Sequence, residues 1–183
     1  MILFKCINKG FFRMQKKVIY LDRDGVINED FGYVYKSDEF KFIDGVFEAC
    51  KEFLTLGYEI VVVTNQSGIG RGYYTIDEFE SLTKFMIDEF KKQQIDILKV
   101  YFCPHNPDEN CTCRKPKSGM ILQSLNDFSI DLENSWLVGD KLSDIECAKN
   151  GKVRNKILIS NENIENDEFF VAKSLKDSLK YIK

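Results

Sequence analysis

The chain has 183 residues, 44% of them apolar and 30% charged, a size and balance that suit one domain with a substantial core, or a domain with a small insertion. Its 26 lysines and arginines against 29 aspartates and glutamates leave a net charge of −3, without the basic excess that draws proteins to nucleic acid. No apolar stretch approaches the roughly 20 residues of a membrane span, so neither nucleic acid nor membrane is expected as a partner.

Residues 1–13 hold three phenylalanines and three basic residues, but Lys5, Lys9 and Gly10 break the apolar pieces, unlike a signal peptide. Met14 stands four residues before the first strand and can serve as a second start. Residues 1–15 are therefore expected to form an N-terminal extension, of which 1–13 are dispensable, and residues 16–183 one domain. Val18, Ile19, Tyr20 and Leu21 read as a buried strand, because no polar residue alternates with them. A loop rich in aromatics and acids follows over 28–42. A helix is predicted over about 45–56, with Asp44 as N-cap and Gly57 as stop, and a second buried strand over 58–64. Thr75, Ile76, Asp77 and Glu78 form a capping-box pattern; Ile76, Phe79, Leu82, Met86 and Phe90 then recur at helical spacing and mark a core face. The order continues with a strand over 97–102, a helix from about 118, a strand over 136–139, a helix from about 142, a strand over 157–160 and a C-terminal helix. Residues 161–168, acidic and polar, read as a surface loop. This alternation predicts an α/β fold: a doubly wound, mostly parallel sheet with helices on both faces.

Chemistry-bearing groups collect after the strands. Asp22 and Asp24 flank Arg23 at the end of the first, and Gly25 lets the chain turn there. Two carboxylates at a strand end need a cation, because an unpaired buried carboxylate is costly. The second strand leads into Thr64, Asn65, Gln66, Ser67 and Gly68, a hydroxyl and an N–H-rich turn suited to phosphate oxygens. Arg114 and Lys115 follow the third strand, and Asp140, Lys141 and Asp144 the fourth. In a doubly wound sheet these ends converge on one crevice. Acids, a hydroxyl turn and a lysine together describe a magnesium-assisted phosphoryl-transfer site.

Of the six cysteines, Cys103, Cys111 and Cys113 lie within 11 residues of chain that also holds His105, the only histidine. That crowding, in a chain of this size, points to a reducing, cytoplasmic compartment and a metal site rather than a disulfide framework. Three thiols and an imidazole match a tetrahedral zinc site with every position filled by protein, hence a structural role that stiffens the loop leading to Arg114 and Lys115. Cys6, Cys50 and Cys147 read as plain thiols, the latter two within helices.

In this order the motifs Asp22-Arg23-Asp24-Gly25, Thr64-Asn65-Gln66, Arg114-Lys115-Pro116 and Gly139-Asp140-Lys141, with Asp144 four residues after Asp140, resemble those of the haloacid dehalogenase-like phosphatases. The resemblance covers about residues 16–160, and the chain lacks the stretch between motifs that would form a large cap domain. It implies that Asp22 is the nucleophile and forms an aspartyl-phosphate. Asp24 would protonate the leaving alkoxide and then activate water. Mg²⁺ would be held by Asp22, the Asp24 backbone carbonyl and Asp140; Thr64 and Lys115 would stabilise the phosphoryl group, and Asp144 would orient the site without touching the metal.

Within that superfamily the core and its metal loop look like the heptose-bisphosphate phosphatase branch, with the histidinol-phosphate phosphatase branch as the alternative. Three runs favour the former: Phe31 to Tyr35 with Phe42 to Val46, Thr64 to Gly72, and Gly119-Met120. The resemblance then implies substrate contacts at Arg23, Asp30, Phe31, Gly32, Tyr33, Asn65, Gln66, Ser67, Arg114 and Lys141; the branch commonly carries histidine where Phe31 stands. A bisphosphate explains the spare cation, with Lys115 at the reacting phosphate and Arg114 gripping the distal one. The expected function is that of a monomeric sugar-bisphosphate phosphatase on the route to nucleotide-activated heptose for surface polysaccharide. The other readings are a zinc-stabilised interaction module without activity and a polynucleotide 3′-phosphatase, which the negative net charge disfavours.

Overall fold

The computed structural model describes residues 15–183. The extension expected over 1–15, apart from Gln15, lies outside the described residues, as do Cys6 and the alternative start at Met14.

Six strands, β1 (Lys17–Leu21), β2 (Tyr58–Asn65), β3 (Ile97–Cys103), β4 (Trp136–Gly139), β5 (Asn155–Ile159) and β6 (Phe170–Ala172), form one sheet in the order β3-β2-β1-β4-β5-β6. Every pairing is parallel. β1 sits between β2 and β4, with Leu21 beside Val62 on one side and Val138 on the other. Its apolar run has no polar alternation because both of its faces are covered. Ile19 and Leu21 pack with Val46, Ala49 and Phe53 of α1 (Val46–Thr55) and Leu82, Met86 and Phe90 of α3 (Ile76–Lys92). Val18 and Tyr20 pack on the other face with Met120 and Ile121 of α4 (Gly119–Asp127) and Cys147 and Ala148 of α5 (Leu142–Asn150). The doubly wound arrangement expected from the alternation is therefore the one observed, with an additional short helix, α2 (Ser67–Gly70), where the sequence reads only as a turn.

Four local expectations are corrected. The N-cap of α1 is Gly45, at φ 81°, with no side-chain cap, rather than Asp44. The chain enters the helix through a left-handed turn against the Lys176 side chain, which fills the space a Cβ would occupy. Ile76 is 45% exposed although Phe79, Leu82, Met86 and Phe90 are buried. As the first residue of α3 it stands ahead of the stripe that meets the sheet. The sixth strand follows the loop over 161–168, and its three residues are too few to show a period. In place of the expected C-terminal helix there is one 3₁₀ turn, Asp177–Lys180. There the Asp177 carboxylate accepts from the Lys173 N–H, Ser174 Oγ accepts from the Asp177 N–H, and the Ser178 hydroxyl donates to the Leu175 carbonyl. Such local side-chain bonds compete with helix continuation. The capping box at Thr75 and Glu78 forms as expected.

With β1 central, the order reverses at the β1–β4 boundary, and the crevice at the carboxyl ends of the strands lies there. Truncation of the core face of α3 should be costly: Met86→Ala is expected to lower the unfolding free energy by about 2–5 kcal/mol, whereas Ile76→Ala should change it by less than about 1 kcal/mol, both read from denaturant midpoints.

Candidate active site

Asp22 extends β1 by one residue, its N–H donating to the Val138 carbonyl at 3.0 Å. Its Oδ2 lies 2.9 Å from Lys115 Nζ, which is also 2.6 Å from Asp144 Oδ1 and donates to the Val63 carbonyl at 2.8 Å. The ammonium thus sits between two carboxylates and a carbonyl, in a side chain only 2% exposed. Burial alone would lower the Lys115 pKa, but Asp22 and Asp144 outweigh it and hold the group charged. Burial pushes the Asp22 carboxyl up to about 7, with Lys115 pulling the other way. Asp144 approaches so closely because residue 139 is glycine: a Cβ there would overlap the Asp144 side chain. The second Asp144 oxygen accepts from the Lys141 N–H at 3.0 Å, which fixes its rotamer at the start of α5.

Asp140 completes the acidic group. Carboxylate oxygens of Asp22, Asp140 and Asp144 lie within 4.8 Å of one another. Asp140 Oδ1 is buried with no hydrogen-bond partner, and burial raises its pKa. Three carboxylates face one buried ammonium, with Lys141 exposed at the rim 3.4 Å from Asp140. The orphaned oxygen, the excess negative charge and the all-oxygen donor set fit a hard dication such as magnesium.

Asp24 is held from two sides. Its Oδ1 accepts from Arg23 Nε at 3.2 Å, Arg23 Nη2 at 2.8 Å and Asn28 Nδ2 at 2.9 Å. Its Oδ2 accepts from Gln66 Nε2 at 3.0 Å. Gln66 Nε2 also donates to Thr64 Oγ1 at 2.8 Å, and Gln66 Oε1 accepts from the Tyr74 hydroxyl at 2.6 Å. Asn65 clamps the backbone of Lys115: its Oδ1 accepts from the Lys115 N–H at 3.0 Å and its Nδ2 donates to the Lys115 carbonyl at 3.2 Å.

The cleft above these groups, about 380 Å³, is lined by Asp22, Asp24, Thr64, Asn65, Gln66, Ser67, Arg114, Lys115 and Asp144, with Asp30, Gly32, Tyr33 and Lys141 at its mouth. Lys141 Nζ reaches Asp30 Oδ2 at 3.2 Å, and Tyr33, at φ 53°, meets Tyr73 edge-on with centroids 4.7 Å apart. Arg114 Nη1 has no hydrogen-bond partner. Two residues expected at the substrate stand elsewhere. Arg23 is 2% exposed, with its guanidinium bonded to Asp24 and to the Val34 carbonyl at 2.8 Å, between the Phe40 and Phe79 rings. It tethers Asp24 and does not line the cleft. Phe31, 58% exposed, sits under Lys41 on a neighbouring groove. Sequence reasoning missed Tyr74 and Asn28; neither stands in a spacing that separates it from a packing aromatic or a turn residue.

Beside the cleft, Cys103, His105, Cys111 and Cys113 draw together. The Cys103 and Cys113 sulfurs are 3.2 Å apart, Cys111 is 3.5 Å from each, and His105 Nδ1 lies 3.2 Å from Cys113 and 3.5 Å from Cys103. Four converging soft donors of this kind fit one zinc ion, whose ligand sulfurs stand about 3.7 Å apart. The loop docks on α2, where the Gly70 N–H donates to the Pro104 carbonyl at 2.8 Å and Asn106 Nδ2 donates to the Gly70 carbonyl at 2.9 Å.

Comparison with known proteins adds to this geometry. The family model described as polynucleotide kinase 3 phosphatase matches residues 17–172. The chain is 47% identical over 170 residues, 93% of it and 98% of the relative, to the D-glycero-alpha-D-manno-heptose-1,7-bisphosphate 7-phosphatase of Campylobacter jejuni. It is 43% identical over 169 residues, 91% of it and 97% of the relative, to the D-glycero-beta-D-manno-heptose-1,7-bisphosphate 7-phosphatase of Helicobacter pylori. Among solved structures it is similar to the D,D-heptose 1,7-bisphosphate phosphatase of B. bronchiseptica complexed with magnesium and phosphate, with a TM-score of 0.81 and 28% identity over 90% of this chain and 97% of that one.

The buried ammonium is what makes the acid pair tolerable. Lys115→Met should leave Asp22 and Asp144 uncompensated and lower the unfolding free energy by about 3–5 kcal/mol in metal-free buffer, measured by chemical denaturation.

Proposed function

Because the chain belongs to the polynucleotide kinase 3 phosphatase family, among the D-glycero-D-manno-heptose-1,7-bisphosphate 7-phosphatases, we propose that it is a phosphoric monoester hydrolase that removes the 7-phosphate of D-glycero-D-manno-heptose 1,7-bisphosphate. The observation that carries the reading is the Asp22 carboxylate, held 2.9 Å from the buried Lys115 at the floor of a polar cleft, with Asp24 two residues on. One Asp22 oxygen attacks phosphorus, the bond from phosphorus to the sugar O7 breaks, and the leaving oxygen takes a proton from Asp24. Water then attacks the aspartyl-phosphate, giving its proton back to Asp24. The bond between phosphorus and the Asp22 oxygen breaks, releasing inorganic phosphate and restoring the carboxylate.

Oδ1 of Asp24 already receives three donors and Oδ2 one, so the proton passes through Oδ2. Thr64 and Lys115 face the charge that gathers on the phosphoryl oxygens. Arg114, with an unpartnered Nη1, is suited to the second phosphate of a bisphosphate. Asp22, Asp140 and the Asp24 backbone carbonyl would hold Mg²⁺, with Asp144 orienting Lys115. When bound, the ion supplies positive charge against the phosphoryl group. Cys103, His105, Cys111 and Cys113 would hold a structural zinc. The same reading takes residues 16–183 as one domain with 1–15 as an extension, working as a monomer in the cytoplasm without nucleic-acid or membrane partners. It is supported by the net charge of −3 and by the unpaired thiols of Cys50 and Cys147; among the described residues no helix is long and apolar enough to cross a membrane.

The test is phosphate release with Mg²⁺ from both anomers of the heptose bisphosphate, from histidinol phosphate and from a 3′-phosphorylated oligonucleotide. A kcat/KM preference of at least about 100-fold for one heptose anomer is expected; preference for histidinol phosphate or the oligonucleotide would overturn the substrate assignment. Asp22→Asn should reduce turnover by at least about 10⁴-fold without lowering the melting temperature, since an amide of the same shape cannot attack phosphorus and removes one of the crowded buried carboxylates. Cys113→Ser should lower the zinc content measured by metal analysis from about one per chain toward none, and depress the melting temperature; unchanged values for both would remove the metal.

A further inference from the structure

The Gln66 side chain is 2% exposed and almost fully used. Its two amide hydrogens meet two acceptors, Asp24 Oδ2 at 3.0 Å and Thr64 Oγ1 at 2.8 Å, and its Oε1 receives the Tyr74 hydroxyl at 2.6 Å. A side chain so committed does not read substrate. It joins the two groups that the proposed chemistry needs. Because Thr64 Oγ1 already accepts from the amide, the hydroxyl hydrogen is free to donate into the cleft. Because Asp24 Oδ2 takes a single donor, one of its lone pairs is left to carry the transferred proton.

An amide has a second orientation, turned by 180°, that fits the same volume. In that orientation Oε1 would face Asp24 Oδ2 and Thr64. It would repel the carboxylate, and it would accept both the Asp24 proton and the Thr64 hydrogen that the substrate needs. Tyr74 is placed against this outcome. Its ring stacks on Tyr35 with centroids 5.2 Å apart at 6° and lies over Gly68, where a Cβ would overlap it, so the hydroxyl cannot leave Oε1 without repacking.

We propose that Gln66 and Tyr74 are positioning residues for phosphoryl transfer: the Tyr74 hydroxyl holds one orientation of the Gln66 amide, and that orientation turns Asp24 Oδ2 and the Thr64 hydrogen toward the substrate. The inference rests on the reading of Asp24 as proton donor to the leaving group, and it predicts a dependence on that leaving group. An alkoxide leaves only with a proton, whereas nitrophenolate leaves without one.

The experiment compares kcat/KM of the wild type, Tyr74→Phe and Gln66→Met on the heptose bisphosphate, on an alkyl monophosphate and on p-nitrophenyl phosphate. This ratio reports the steps up to release of the alcohol, ahead of hydrolysis of the aspartyl-phosphate. For Tyr74→Phe the expected loss is about 30-fold on the alkyl esters against about 3-fold on the nitrophenyl ester, mostly in kcat, with the melting temperature unchanged. Gln66→Met should show the same asymmetry with larger losses. Equal losses on both classes of ester, no loss in Tyr74→Phe, or a rise in KM alone would overturn the inference. A wild type that hydrolyses the alkyl monophosphate and p-nitrophenyl phosphate but not the bisphosphate would instead overturn the substrate reading, and the comparison between those two esters would still decide the role of Tyr74.

Discussion

The ammonium of Lys115, set between Asp22 and Asp144 and capped by the Val63 carbonyl, is the interaction on which the site depends. Each of these charges alone would cost several kcal/mol to bury, and each has been brought to the crevice by a different strand end: Asp22 by β1, Lys115 by the segment after β3, Asp144 by the first turn of α5. The sheet order makes the meeting possible, since β1 lies between β2 and β4. Glycine at 139 gives Asp144 the space to come close, and the Asn65 amide fixes the Lys115 backbone from the end of β2. Three carboxylates against one buried ammonium still leave an excess of negative charge. That arrangement is poor for stability, and local rules of this kind are broken where function requires it.

Much of the architecture was legible in the sequence, because burial on both faces writes itself as unbroken apolar runs and because the strand ends carry their polar groups in a fixed order. β4 and α5 fall where the pattern places them, and the Thr75 capping box closes as its spacing implies. What failed was local or short. A three-residue edge strand has no period to detect, a left-handed glycine can replace a side-chain cap, and hydroxyls that bond their own backbone turned an expected helix into a single 3₁₀ turn.

Within the site, the sequence marks which residues gather but not what each does after burial. Asn65, Gln66 and Arg23 belong to motifs that converge on the cleft, yet their polar atoms are turned to Lys115, to Asp24 with Thr64, and to Asp24 with Val34. The orientation of a buried amide or guanidinium follows from partners that folding brings into place, whether near in the chain, as Val34 is to Arg23, or far from it, as Asp24 is from Gln66. Tyr74 was missed for the same reason: only the fold brings its hydroxyl to Gln66 Oε1.

Arg23 Nη2 bonds the Asp24 carboxylate and the Val34 carbonyl at once, at 2.8 Å each, from a pocket closed to water. Val34 belongs to the loop that carries Asp30 and Tyr33 to the mouth of the cleft. The rim and the acid therefore share one fastener. Because Arg23 Nε also reaches Asp24 Oδ1, the guanidinium that pins the rim loop at Val34 sets the carboxylate in place as well, so that the edge of the cleft and its acid are fixed in one relation to each other.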